Sequence, residues 1–472
     1  MLNSLDLLVV FLYFSLLIGI GVISSKKVKN GEDFLVAGGR LGYGLYVPAM
    51  AAVVLGGAST FGSVKLGYQY GISGMWLVAI IGLGILALGL FFSKKISRLK
   101  VFSVSELLGQ RFGSSSRYIS AVIMVVYDLM VSVTAVIAIG VMFSSIFGWN
   151  DKTAIIVGGI IVVFYTMLGG MWAVTLTDVI QFWVMTIGLI CILVPASIMN
   201  VGGIDQLTEK VPSEFFSISN IGGEAIFTYF LLYFFGIMIG QDIWQRSFTA
   251  KNETILKRGT IYAGLYCMLY GIGGALIGMT ASVLLPNMDD PQKALPQLVM
   301  TILPQGLVGL LIAAVASAVM STASGTIMAS STIIVNDLLL AKASKERIKE
   351  KQVKWTRMAT MVVGITSIAI SLALQDILVA LDIAYAFLSG SIFFPVLAAL
   401  FWKKVNPKVV LVSMITSGIV VIATLIIKGP SSLEGIIYGL ITSAVSLGIG
   451  GILTQSKASS ANISAESDAK TN

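Results

Sequence analysis

One stretch of the sequence combines groups that could bind a cation with the length needed to cross a membrane. Residues 46–71 contain a Gly-Gly step, three hydroxyl side chains and a lysine, namely Gly56-Gly57, Ser59, Thr60, Ser63 and Lys65. A helix in hydrocarbon can break only where its freed carbonyls face protein, water or an ion. The step therefore predicts an unwound segment near Val53 to Gly57 whose carbonyls bind a cation. The alternative is that Gly56-Gly57 is a close-packing surface for a neighbouring helix.

The elements that must position this stretch are membrane-spanning helices. Hydrophobic residues make up 56% of the 472 residues, charged residues make up 11%, and the mean hydropathy is +0.93. This composition is far more apolar than that of a soluble domain, and apolar runs of about 20 residues match helices that cross a bilayer. The sequence predicts an all-α membrane protein. Its thirteen predicted spans cover residues 7–24, 44–70, 73–93, 118–146, 153–169, 172–198, 224–246, 258–285, 305–335, 356–374, 377–401, 409–427 and 433–453.

The loops predict the orientation. The first apolar run follows Asp6 and precedes Lys26-Lys27, which is the reverse of a signal peptide, so we expect a retained span with its N-terminus outside. Thirteen spans then place most of the 31 basic residues in cytoplasmic loops, as the positive-inside rule expects. We expect a multi-pass protein of the cell membrane with a cytoplasmic C-terminus. Residues 1–455 would form the transporter domain, and residues 456–472 would form a disordered tail.

Two breaks at matching positions indicate an internal repeat. Spans 2–6 and spans 7–11 form two sets of five, and the first span of each set is interrupted, at residues 55–57 and at residues 236–240. An odd number of spans per repeat gives the halves opposite orientations. Such paired interruptions are typical of inverted-repeat transporters, whose binding site lies near the middle of the membrane.

Several ionisable residues lie inside predicted spans, where charges usually mark a pathway, a partner or an ion site. They are Lys65, Asp128, Asp178, Asp242 and Asp382. Lys65 and Asp128 could form a buried ion pair between spans 2 and 4. Alternatively, Lys65 could contact a solute carboxylate, and Asp128 could contact a solute amine or a coupling ion. The sequence has no histidine, and its two cysteines match no metal or redox spacing.

Five segments together resemble the sodium:solute symporter family. They are SSKKVKNGEDFLVAGGRLG (24–42), GGASTFGSVKLGYQYG (56–71), GGMWAVTLTDVIQ (169–181), GQDIWQR (240–246) and AAVASAVMSTASGTIMASSTIIVND (313–337). The resemblance implies the LeuT-type fold, a 5+5 inverted repeat of spans 2–6 and 7–11 with one extra helix before it and two after it.

The resemblance also implies the binding residues. For the shared sodium ion these are the carbonyls of Val53, Gly56 and Ala318 and the hydroxyls of Ser321 and Thr322. Oxygen ligands of this kind suit a hard cation, although hydroxyls in membrane helices can instead bond to their own helix. Asp178 and Ser324 match a possible second sodium site, but Gly325 stands where some members have another hydroxyl. The residues expected at the solute are Leu55, Ser59, Thr60, Lys65, Asp128, Tyr233 and Gln241.

The expected function is sodium-coupled symport of a small organic solute by alternating access, with an amino acid or a carboxylate favoured. The alternatives are a proton-coupled or uncoupled permease that titrates Asp128 or Asp178, and a membrane sensor. We expect no enzyme activity, since no nucleophile-base pair, metal cluster or phosphate loop is apparent. The expected partners are the solute, Na+ and the lipid bilayer, with no nucleic acid and no obligate protein partner.

Overall fold

The computed structural model describes residues 3–25, 31–99, 101–167, 170–341, 345–402 and 405–468, and helices account for most of them. The first half contains α1 Ser4–Ser25, α2 Tyr43–Val54, α3 Gly57–Tyr70, α4 Trp76–Ala87, α5 Val104–Phe112, α6 Ser114–Phe147, α7 Asp151–Met167 and α8 Gly170–Val201. The second half contains α9 Gly223–Ile237, α10 Gln241–Ser247, α11 Glu253–Leu284, α12 Leu307–Ile333, α13 Lys345–Leu374, α14 Ile377–Phe401, α15 Pro407–Lys428 and α16 Leu433–Asp468.

Both predicted interruptions are present. Helices α2 and α3 are separated by Leu55 and Gly56, and Gly56 has an extended backbone with ψ −158°. Helices α9 and α10 meet at a bend of 45° over residues 238–240. Each of these pairs is a discontinuous span of the kind in which irregular backbone lines a binding site.

The all-helical membrane class is confirmed. The described residues contain ten helical runs that are long and apolar enough to cross a membrane, or eleven when α9 and α10 are counted as one bent span. This count joins Gly57–Ile96 into one run across the 3-10 turn Gly71–Met75. The thirteen spans and their orientation stay predictions. The disordered tail also stays a prediction, because the side chains from residue 452 onward and all of residues 469–472 lie outside the described part.

Small residues let α11 pack directly against α3. A Cβ atom added to Gly67 or to Gly278 would overlap backbone atoms of the opposing helix. Close approach of this kind is a common basis of helix packing in membranes, where no hydrophobic driving force acts between helices. Helix α12 crosses the middle of the molecule and packs against α2, α6 and α8.

A short backbone bridge joins the two broken spans at one end. The Leu41 N–H donates to the Thr249 carbonyl at 2.9 Å, and the Lys251 N–H donates to the Leu41 carbonyl at 3.0 Å. Leu41 lies just before α2, and the other two residues follow α10. The start of one discontinuous span is therefore fastened to the end of the other.

Candidate sodium and solute site

The break between α2 and α3 lies against α12. The Thr322 hydroxyl donates to the freed Val53 carbonyl at 2.6 Å. Gly56 is so close to the same threonine that a Cβ atom would overlap its side chain. The structure thus brings together three of the five residues predicted to bind sodium, contributed by helices that are far apart in the sequence.

The close-packing interpretation of the Gly-Gly step also holds, but for the second glycine. A Cβ atom on Gly57 would lie 2.6 Å from the Ala138 Cβ and 3.3 Å from the Thr134 carbonyl on α6. Gly57 therefore allows α3 to approach α6, whereas Gly56 keeps space beside Thr322.

The hydroxyls that follow the break satisfy its carbonyls. Ser59 donates to the Val54 carbonyl at 2.6 Å, and Thr60 lies 3.5 Å from the Leu55 carbonyl. Thr60 also shares a hydrogen bond of 2.8 Å with the Tyr270 hydroxyl of α11. Buried carbonyls without partners are costly, so these contacts stabilise the unwound segment. They also engage two of the side chains predicted to face the solute.

Ser321, the other predicted hydroxyl ligand, contacts a buried ion pair. It donates to Asp178 at 2.6 Å, and the other Asp178 oxygen accepts a hydrogen bond from Arg246 at 2.9 Å. The Arg246 Nε atom also donates to the Ala49 carbonyl of α2 at 3.2 Å. Asp178 therefore lies beside the predicted sodium site, but its charge is already paired.

The residues that match a possible second sodium site lie next to the guanidinium of Arg246. Ser324 donates back to the Ser321 carbonyl at 3.1 Å. A Cβ atom on Gly325 would lie 2.6 Å from Arg246 Nη2. The sequence analysis missed Arg246, although the motif GQDIWQR contains it and a buried aspartate in span 6 calls for a cationic partner.

The predicted ion pair between Lys65 and Asp128 is wrong. Lys65 donates to Asp376 at 3.0 Å, at the residue that caps the start of α14. Burial opposes ionisation of Asp376, but the Val379 amide and the Lys65 charge outweigh it and hold the pKa of Asp376 below its usual range. Lys65 lies too near one end of its span to reach Asp128, because Asp128 is in the middle of α6.

The second break carries its own polar contacts. The indole of Trp244 donates to the Met238 carbonyl at 2.8 Å and so satisfies a backbone group freed by the bend. Beside it, the Tyr127 hydroxyl lies 3.3 Å from an Asp242 carboxylate oxygen and 3.2 Å from the Tyr385 hydroxyl. Asp128 is fully buried nearby, and no side chain within the described residues donates a hydrogen bond to either of its oxygens.

Tyr233 and Gln241 are both expected at the solute, but they lie in different parts of the structure. Tyr233 donates to Asp382 at 2.5 Å and packs edge-on against Tyr385. Gln241 is bonded to the segment that starts α5, accepting from the Val104 N–H at 2.8 Å and donating to the Phe102 carbonyl at 3.1 Å. Tyr233 thus belongs to the group around Asp128, whereas the side-chain amide of Gln241 is engaged by the segment before α5.

Two discontinuous helices, with carbonyl and hydroxyl oxygens gathered at one break and buried charges at the other, are typical of helical membrane transporters. The sodium:solute symporter family matches residues 34–417, and the chain belongs to this family.

Two relatives and one solved structure show the extent of the similarity. The high-affinity proline transporter PutP of Bacillus subtilis is 27% identical over 92% of this chain and 95% of its own length. The sodium/pantothenate symporter of Haemophilus influenzae is 25% identical over 87% of this chain and 88% of its own length. The structure of a Na+-coupled sialic acid symporter superposes with a TM-score of 0.83 at 20% identity, over 96% of this chain and 98% of that chain. The chain is a sodium-coupled membrane symporter of small solutes, and Na+ is its coupling ion.

Proposed function

We propose that this transporter moves a small amino acid into the cell together with Na+ by alternating access. The ion would be bound by the carbonyls of Val53, Gly56 and Ala318 and by the hydroxyls of Ser321 and Thr322. The observation that carries this proposal is the 2.6 Å contact between the Thr322 hydroxyl and the freed Val53 carbonyl. An ion that enters between these two oxygens would replace that hydrogen bond and hold span 2 against α12.

Coupling follows if Na+ favours the outward-facing state that binds solute. Each ligand then raises the affinity of the other by the same factor. One net charge that moves inward across 100 mV contributes about 2.3 kcal/mol. At about 1.4 kcal/mol per tenfold, this corresponds to roughly a 40- to 50-fold solute gradient before any sodium gradient is counted. A single ion is therefore enough for useful accumulation.

We further propose one Na+ per transport cycle. The Asp178 carboxylate and Ser324 were the candidates for a second ion, but Arg246 supplies a fixed positive charge to Asp178 at 2.9 Å. The same guanidinium covers Gly325. A second cation there would be repelled by Arg246 and would lack one hydroxyl ligand. A sodium dependence with a Hill coefficient of about 1 supports this stoichiometry.

The preference for an amino acid over a simple carboxylate comes from Lys65. Its ammonium group was the candidate partner for a solute carboxylate, and in the structure it is engaged by Asp376. The remaining candidates around the breaks are Leu55, Ser59, Thr60, Tyr233 and Asp128. The first two relatives compared carry the names of a proline transporter and a pantothenate symporter, so both kinds of solute occur among similar proteins.

For the topology we propose thirteen spans with the N-terminus outside. Three crossings add to the ten longer runs. They are α7, which has 17 residues, the bent pair α9 and α10, and a second span gained by dividing Gly57–Ile96 at the turn Gly71–Met75, so that α2 and α3 form one span and α4 begins the next. The basic residues near α5, α10 and the start of α13 would then share the cytoplasmic side.

The sodium site is tested by sodium-induced thermal stabilisation of the purified protein, since an ion that binds only the folded form raises its stability. Ser321→Ala and Thr322→Ala should each raise the Na+ concentration for half-maximal stabilisation about tenfold, with K+ as the reference salt. Ser330→Ala is the matched control, because Ser330 is also a buried serine of α12 and its hydroxyl has no hydrogen-bond partner within the described residues. An unchanged sodium dependence in both site variants would reject the site.

A further inference from the structure

Two buried carboxylates, Asp128 of α6 and Asp242 of α10, lie at the second break. Asp128 is 0% exposed and Asp242 is 3% exposed. The two side chains interact electrostatically, and the Asp128 carboxylate lies beside the backbone of Asp242. Asp242 accepts a hydrogen bond from the Tyr127 hydroxyl at 3.3 Å, whereas no side chain among the described residues donates to the Asp128 carboxylate.

Among the described residues, neither Arg246 nor Lys65 forms a side-chain ion pair with Asp128 or Asp242. Arg246 pairs with Asp178 at 2.9 Å and donates to the Asp242 backbone carbonyl at 3.4 Å, and its charge also acts through space on the two acids. Lys65 pairs with Asp376. The region thus holds three buried carboxylates around one guanidinium. Two neighbouring carboxylates in a water-poor site do not both stay ionised unless a cation neutralises them.

The surroundings of the pair suit an organic cation. Tyr385 packs edge-on against Tyr127 and against Tyr233, with ring centroids 5.2 Å apart in both cases. Tyrosine rings attract ammonium groups through their negative faces. Within the described residues there is no cluster of three or more acidic, histidine or cysteine side chains that could bind a metal ion.

The acid pair is connected to the predicted sodium site. Asp128 lies on span 4, Asp242 lies on α10 just after the second break, and Tyr385 of span 11 packs against Tyr127 beside them. Arg246 connects them to the predicted sodium site, because it contacts the Asp242 carbonyl and the Asp178 carboxylate, and Asp178 accepts from Ser321. A ligand that neutralises the acid pair would therefore change the electrostatic environment of Arg246. Arg246 is linked through Asp178 to Ser321, a predicted sodium ligand.

We propose that Asp128 and Asp242 bind a positively charged nitrogen of the solute, so that the solute is an amine or an amino acid. This inference rests on the proposed sodium-coupled transport and adds which group of the solute is recognised and by which two side chains. It excludes solutes that lack a cationic nitrogen.

The test measures thermal stabilisation of the full-length protein in Na+ and in K+. The probes are the common amino acids, pyrrolidinium, lactate, tetrahydrofuran-2-carboxylate, pantothenate and sialic acid. Tetrahydrofuran-2-carboxylate differs from proline only by oxygen in place of the ring nitrogen, and lactate is the hydroxyl counterpart of alanine. We expect stabilisation in Na+ by probes with a cationic nitrogen and by none of the nitrogen-free or uncharged-nitrogen probes.

Two substitutions assign the effect to the acid pair. Asp128→Asn and Asp242→Asn should each weaken binding of the stabilising amine at least about tenfold, since a charge-assisted hydrogen bond is lost. Both variants should fold, because asparagine has the same shape and removes a buried charge. Asp151→Asn is the control, since Asp151 pairs with Lys293 at the start of α7 and should not affect amine binding.

Three results would overturn the proposal. The first is sodium-dependent stabilisation by pantothenate, sialic acid, lactate or tetrahydrofuran-2-carboxylate. The second is a lack of stabilisation by every amine, including pyrrolidinium. The third is amine binding that is unchanged in both Asn variants. If these variants lose only a pH dependence of transport, the acid pair binds a proton instead of the amine, and the proposal is equally overturned. Stabilisation by Na+ alone, measured in the same experiment, tests the sodium site separately.

Discussion

At the scale of single residues, the site depends on where a side chain is absent. Gly56 faces Thr322 so closely that a Cβ atom would overlap it, and the freed Val53 carbonyl lies 2.6 Å from the same threonine. Glycine is used here for close approach, not for an unusual backbone angle, since its φ of −84° is open to any residue.

Gly56→Ala should therefore abolish sodium-induced stabilisation or raise the required Na+ concentration more than about tenfold, because Thr322 must move away from Val53. Gly44→Ala is the matched control within the same span. A Cβ atom there meets no atom within 4 Å, and alanine favours helix over glycine by up to about 1 kcal/mol. Equal sodium affinity in both variants would show that Gly56 only packs against its neighbour.

The residues also show where sequence reasoning succeeds. A Gly-Gly step flanked by hydroxyls is a local signal, and the break at Leu55 and Gly56 was predicted from it. The partners of buried charges are a different matter, because ion pairs join residues that are distant in the sequence. Lys65 pairs with Asp376, and Asp178 pairs with Arg246, and neither pair follows from hydropathy or spacing. Only the distances between packed helices decide them.

At the scale of helices, a broken span must replace the hydrogen bonds that it loses. In span 2, the hydroxyls of Ser59 and Thr60 bond to carbonyls at the break. In span 7, the Trp244 indole bonds to the Met238 carbonyl at 2.8 Å. The two breaks look alike in the sequence, but they are stabilised by different chemistry.

Trp244→Phe should lower the free energy of unfolding by about 1–3 kcal/mol, because a buried carbonyl loses its partner while the aromatic volume is largely kept. Trp183→Phe is the control, since Trp183 is 55% exposed on α8. Thermal unfolding of the two purified variants gives the comparison. A loss of stability that is no larger for Trp244→Phe would mean that the bend does not need the indole.

At the scale of the whole molecule, two sets of polar contacts join helices near the candidate solute residues. Lys65 and Asp376 join α3 to α14 at one end, and Gln241 joins α10 to the segment before α5 at the other. The candidate solute residues between these contacts are buried. In the proposed topology, the Lys65 contact lies on the outer side and the Gln241 contact on the cytoplasmic side. If Na+ favours the outward-facing state, loss of the outer contact should raise sodium affinity, and loss of the cytoplasmic contact should lower it.

Lys65→Gln should lower the Na+ concentration for half-maximal stabilisation by a few-fold at most, since a partly exposed ion pair contributes about 0–1 kcal/mol. Gln241→Ala should raise this concentration by about fivefold or more, since each lost hydrogen bond contributes about 1 kcal/mol to the inward-closed state. The measurement is the same sodium titration for both variants. Shifts of the same sign would contradict this assignment of the two contacts.

The bridge between Leu41 and the backbone of Thr249 and Lys251 constrains how such a transporter can work. A link made of main-chain atoms is independent of side-chain identity, and it holds α2 and the end of α10 in register. We expect a tilt of span 2 that releases its ion to pull the end of span 7, which carries Asp242, in the same direction. Na+ and the solute would then be released in one conformational step, without an intermediate that has lost only one of the two ligands.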